Sequence, residues 1–99
     1  MKEYRTTLAL EGMPSDEETT ERLLGALVEI AGENGPVLDG PANGDRINVT
    51  LALEAFDAPS AVWTAALLVQ RAQFVGDLTP GVIVGAETEL VTADQAAAA

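Results

Sequence analysis

The 99-residue chain contains no cysteine and no histidine. Without cysteine it has no disulfide framework, no thiolate metal site and no thiol nucleophile. Without histidine it lacks the commonest general base, the commonest transition-metal ligand and the usual switch near neutral pH. Aromatic residues are scarce at 4%, the large rings being Tyr4, Phe56, Trp63 and Phe74. A core must therefore be assembled from Leu, Val, Ile and Ala, with those four rings as the only large ones open to it. Basic residues number 5 against 16 acidic ones, a formal charge of −11. Such a surface repels nucleic-acid phosphates and anionic lipid headgroups and attracts basic partners or cations. Its simplest reading is a well-solvated cytoplasmic protein. The longest apolar run, Ala65 to Val69, is far shorter than the ~20 residues of a membrane span. The N-terminal Met1-Lys2-Glu3-Tyr4-Arg5 lacks the apolar stretch of a signal peptide.

What is present is periodic. Tyr4, Thr6, Leu8 and Leu10 alternate with Arg5, Thr7, Ala9 and Glu11, the pattern of a half-buried strand. Gly12-Met13-Pro14 breaks it. Ser15 and Glu18 have the spacing of a helix-start capping box, and Thr20, Leu23, Leu24, Leu27, Ile30 and Ala31 then recur at helical intervals to about Gly32. Gly35-Pro36 opens a short strand over Val37-Leu38-Asp39, and Asn43-Gly44 predicts a tight hairpin turn. Ile47, Val49, Leu51 and Leu53 alternate in the next strand. Asp57 is the expected N-cap of a helix from about Ala58 to Val75, with Pro59 tolerated in its first turn. Val82 to Val91 reads as a final strand.

The order strand, helix, strand, strand, helix, strand predicts an α+β, ferredoxin-like βαββαβ domain, a four-stranded antiparallel sheet with both helices on one face. It is expected to fill residues 1–92, followed by a flexible Ala-rich tail at 93–99. An internal repeat supports two related βαβ halves. Thr7-Leu8-Ala9-Leu10-Glu11 recurs identically as Thr50-Leu51-Ala52-Leu53-Glu54, each copy followed by a Pro-Ser pair, Pro14-Ser15 and Pro59-Ser60. Chance competes with duplication in a chain so rich in Ala, Leu, Glu and Thr. On either account the two matched strands are expected at the centre of the sheet, with the two Val-initiated strands at its edges.

Aligning the helices on their Pro-Ser pairs sets Thr20, Leu23, Leu24, Leu27 and Ile30 against Ala65, Leu68, Val69, Ala72 and Val75 as core faces. On the outward side Glu18, Arg22 and Glu29 align with Trp63, Leu67 and Phe74. The second helix thus puts two rings and a leucine where the first puts charges, within one narrow arc. Such a stripe marks an interface. A rotated helix that buries the stripe and exposes Ala65 and Ala72 is the competing reading.

The remaining constellations point weakly to chemistry. Asp39, Asn43 and Asp45 lack the spacing of an EF-hand loop and suit a hairpin turn. Ser15 and Ser60 sit at helix starts with no histidine to activate them. Glu11 and Glu54 end the matched strands and can lie side by side on the open sheet face with Glu87 or Glu89, as a solvated surface or a carboxylate pair. Arg5 and Arg46 share that face and can pair with them. No catalytic residue, metal ligand or cofactor-binding residue is assigned.

The expected role is a non-catalytic interaction or oligomerisation module, a homodimer or part of a larger assembly. Its expected surface is Trp63, Leu67 and Phe74 together with the small residues Thr7, Ala9, Thr50 and Ala52 of the open sheet face. Alternatives are a small-ligand regulatory module, by fold-level analogy with ACT-type domains whose motif is not found here, and an acidic decoy for a basic partner protein. A cofactor-free enzyme is less favoured. Binding to RNA is disfavoured because the central strands carry Leu, Thr and Ala where stacking rings are needed.

Overall fold

A computed structural model describes residues 1–14, 16–39 and 46–91. The Asn43-Gly44 turn, Ser15 and the Ala-rich tail lie outside the described residues. The elements are β1 (Lys2–Glu11), α1 (Glu17–Ala31), a short 3₁₀ turn (Gly32–Asn34), β2 (Val37–Asp39), β3 (Arg46–Ala55), α2 (Ala58–Val75) and β4 (Val82–Leu90). All three strand pairings are antiparallel and the sheet order is β2-β3-β1-β4. This is the ferredoxin-like βαββαβ arrangement, with the two repeated strands, each alternating in hydropathy, at the centre as the repeat predicts.

The strand register follows from that alternation. Tyr4, Thr6, Leu8 and Leu10 of β1 and Ile47, Val49, Leu51 and Leu53 of β3 are buried beneath the helices. Met13, Leu23, Ala26 and Leu27, with Ala65, Val69 and Ala72 of α2, pack against the aliphatic residues of these strands, while Tyr4 packs in a smaller cluster with Ala55 and Ala61. Each such aliphatic side chain, taken fully out of water, contributes roughly 1.5–3 kcal/mol. Thr6 is the polar member of this layer, and its hydroxyl is matched by that of Thr88 on β4 at 2.9 Å. Thr7 pairs with Thr50 in the register of β1 and β3, their hydroxyls 2.9 Å apart. That pair lies on the pseudo-two-fold axis, because the repeat offset of 43 residues relates Thr7 to Thr50 itself.

The helix starts are set by aspartates. At α1 the cap is Asp16 rather than the expected Ser15: its carboxylate accepts the Thr19 backbone N–H at 2.7 Å. Asp57 caps α2 as expected, accepting the Ser60 backbone N–H at 2.9 Å. At the far end of α2 the Leu78 N–H donates to the Gln73 carbonyl and the Asp77 N–H to the Phe74 carbonyl, a Schellman closure. Asp77 takes the left-handed position at φ 53°, where glycine is usual. The adjacent carbonyls of Gly76 and Asp77 accept from the Arg22 guanidinium, at 2.6 and 3.3 Å. Arg22, placed by sequence on the outward side of α1, therefore reaches across to neutralise the negative end of α2.

Two expected core residues are displaced. Leu24 is 36% exposed and Val75 43% exposed, and of the four rings open to the core Tyr4 alone is buried, Phe56 standing in solvent between β3 and α2. The buried side of α1 is Leu23, Ala26, Leu27 and Ala31, and Leu24 falls just outside that arc. On α2 the buried side is Ala61, Ala65, Val69, Ala72 and Gln73, and Val75 falls outside that arc. Gln73 is tolerated inside because its side-chain carbonyl accepts the Gly81 N–H at 3.0 Å, tying the end of α2 to the start of β4. Short side chains along this face bring α2 close to the sheet.

Candidate interaction surface

The outward face of α2 is set by the choice of its buried face. With Ala and Val packed inward, Trp63, Leu67 and Phe74 point to solvent, at 66%, 47% and 85% exposure. At 100° per residue they span about 40° of the helix circumference, and Gln70 lies beside them within about 60° in all. The arc is centred about 150° from the buried one. The competing rotation, with the stripe in the core and Ala65 and Ala72 outside, is not adopted: both alanines are fully buried. The equivalent positions of α1, Glu18, Arg22, Gly25 and Glu29, are all exposed and mostly charged.

The open face of the sheet is less bland than its central residues suggest. Thr7, Ala9, Thr50 and Ala52 occupy its middle and are half-buried. Around them the register places Glu3, Glu11, Asp39, Glu54, Glu87 and Glu89, with Arg5 and Arg46. Glu11 and Glu54 do not meet. Because β1 and β3 run antiparallel, residues that end each strand lie at opposite ends of the pair. Glu11 faces Arg46 and Glu54 faces Glu3. The Arg46 Nε donates to Glu11 Oε2 at 3.1 Å, with Nη2 on the same oxygen. Arg5 pairs with Glu89 at 3.1 Å rather than with either repeated glutamate. Both ion pairs are about half exposed.

Shallow hollows on the open face run beside Arg5, Thr7, Glu87 and Glu89 and beside Ala9, Arg46, Asn48 and Gly85. Another lies between the C-terminal end of α2 and the loop before β4, lined by Gln70, Phe74, Leu78 and Pro80. Among the described residues no three acidic side chains converge as a metal cage would require. Of the three candidate loop ligands, Asp39 stands opposite Asn48 on the open face, while Asn43 and Asp45 lie outside the described residues. No helix among the described residues is long and apolar enough to cross a membrane.

Charge is unevenly distributed. The first turn of α1 carries Glu17 and Glu18, followed by Glu21 and Glu29, against Arg22. Six carboxylates ring the open face, as named above. From Ala58 to Val75, α2 holds one charged residue, Arg71. Its outward arc of Trp63, Leu67, Gln70 and Phe74 forms an uncharged ridge on an acidic molecule. Sequence reasoning located this ridge through the helix alignment but missed Gln70 within it, because a glutamine carries no hydropathy signal of its own.

Comparison with known proteins finds no match to a family model, to a curated protein or to a solved structure.

Proposed function

We propose that this chain is a non-catalytic docking module whose principal contact surface is the α2 stripe of Trp63, Leu67 and Phe74. The open sheet face around Thr7, Ala9, Thr50 and Ala52 is a secondary surface. The observation that carries the reading is the solvent exposure of two rings and a leucine along one helical arc, at positions where the related helix carries charge. An apolar arc of this kind on a strongly charged molecule is covered by a partner in use, and aromatic side chains supply most of the energy of such contacts. The spread of carboxylates over α1 and the sheet, rather than over one face, favours docking through α2 above mimicry of a nucleic acid.

The test is a photo-crosslinking phenylalanine analogue at position 74, with a control at position 29 on the outward face of α1. Adducts are expected from position 74, absent from position 29 and abolished by Trp63→Glu. Trp63→Glu itself should shift stability by no more than about 0.5 kcal/mol, as for other exposed sites. An unchanged adduct pattern in Trp63→Glu, or no adduct at all from position 74, overturns the reading.

A further inference from the structure

We infer that the partner on this stripe is a second copy of the chain, its α2 packed antiparallel to the first across a two-fold axis. This rests on the docking role proposed for the stripe and adds its occupant and register. The first support is spacing. Trp63, Leu67, Gln70 and Phe74 follow one another by four, three and four residues, the interval that holds a seam toward a neighbouring helix. The seam runs about 16 Å along the axis and contains no charge. Antiparallel packing about its midpoint sets Trp63 against Phe74 at both ends and Leu67 against Gln70 between them. Each ring then meets a ring of the other kind, an arrangement that favours offset or edge-to-face contact.

The second support is electrostatic. Two chains of charge −11 repel wherever their carboxylates approach. The outward faces of α1 and of the sheet would bring glutamates together, whereas α2 brings only Arg71. A basic partner would be drawn to the acidic faces instead. Among the described surfaces, α2 is the one through which an acidic chain meets its like with the least of that penalty, its nearest carboxylates, Asp57 and Asp77, lying at the two ends of the helix.

The third support is area. Trp63, Phe74 and half-exposed Leu67 offer on the order of 400 Å² of apolar surface per copy, since a buried aromatic covers about 150–250 Å². With the flanking Pro59, Gln70 and Arg71, two copies reach roughly 1,000 Å², the small end of specific interfaces. That size fits a reversible dimer with a dissociation constant on the order of micromolar or weaker.

Sedimentation equilibrium of the full chain tests this at about 0.01 M and about 0.15 M salt, over which the Debye length contracts from about 30 to about 8 Å. A dimer is expected, several-fold tighter at the higher salt because screening relieves repulsion between like-charged copies. Trp63→Glu and Phe74→Glu should each weaken it at least about thirty-fold, with the folded circular dichroism spectrum retained. The register is read from single cysteines in this cysteine-free chain. A mixture of Thr64→Cys and Arg71→Cys should join through a short thiol crosslinker faster than either variant joins to itself, and equal rates overturn the antiparallel register. A wild type that stays monomeric to about 1 mM overturns the inference. If position 74 then crosslinks to a different protein, the docking role stands and only the occupant is wrong. A dimer untouched by both glutamate substitutions overturns the occupant and its register, and the absence of any adduct from position 74 overturns the docking role with them.

Discussion

Glu3 and Glu54 show what one residue changes in an otherwise repeated framework. The repeat offset makes Glu3 the counterpart of Arg46, so the pseudo-two-fold that gives one end of the sheet an Arg46–Glu11 ion pair gives the other end two facing glutamates. Opposite charges directly across a strand pair are mildly stabilising and like charges mildly destabilising. Glu3→Arg should therefore rebuild the missing pair and raise stability by about 0.5–1 kcal/mol, discounted for solvent exposure. The shift in the urea midpoint measures it, and it should shrink in high salt. An unchanged midpoint would mean that the exposed ends of β1 and β3 are too solvated for the pairing to matter. Gln73 makes the complementary point: a polar side chain enters the core only where a specific donor, the Gly81 N–H, awaits it.

At the scale of the element, both long helices begin on an aspartate whose charge is held by the helix it starts. The Thr19 backbone N–H, then its hydroxyl, keeps the Asp16 carboxyl below the usual carboxylate range. The Ser60 hydroxyl and backbone N–H do the same for Asp57. A folded-state pKa lowered in this way contributes stability that is present above the ordinary aspartate value of 3.8 and lost as pH falls through the folded value. Asparagine caps a helix about as well as aspartate but does not titrate. The double variant Asp16→Asn/Asp57→Asn should thus lose less stability than wild type between about pH 5 and about pH 2. Urea midpoints across that range decide the matter, and parallel losses in the two chains would remove the caps from the account. The other end of α2 depends on a neighbouring element, since Arg22 of α1 supplies the cation that the last turn of α2 lacks.

Across the whole molecule the dominant quantity is the charge of −11, against two half-exposed ion pairs among the described residues. Self-repulsion of that size opposes compaction, and screening it outweighs the weakening of two surface pairs. The melting temperature should therefore rise with salt, by about 4–8 °C for each kcal/mol relieved in a domain of this length. The measurement belongs on Trp63→Glu, where helix-to-helix association does not contribute. A melting temperature that falls with salt would show that the Arg5–Glu89 and Arg46–Glu11 pairs matter more than net charge.

Much of this architecture was legible in the chain. Alternation fixed which sides of β1 and β3 are buried, and the repeated Thr-Leu-Ala-Leu-Glu segment marked them as the central pair. Asp57, Pro59 and the apolar run to Val75 bounded α2. These features are local, because the period of a strand or helix is carried by neighbours along one chain. The rotation of α2 is not local. Most of its circumference is apolar, so hydropathy alone allowed either Trp63 or Ala65 to face inward. The sheet decided it: alanine and valine fit the close gap, Gln73 finds its donor at Gly81, and the rings are left outside. Tertiary structure likewise decided that Glu11 meets Arg46 while Glu54 meets Glu3, and that Arg22 closes the end of α2. Those partners are far apart in sequence, and only the antiparallel register and the packing of helix against helix bring them within bonding distance.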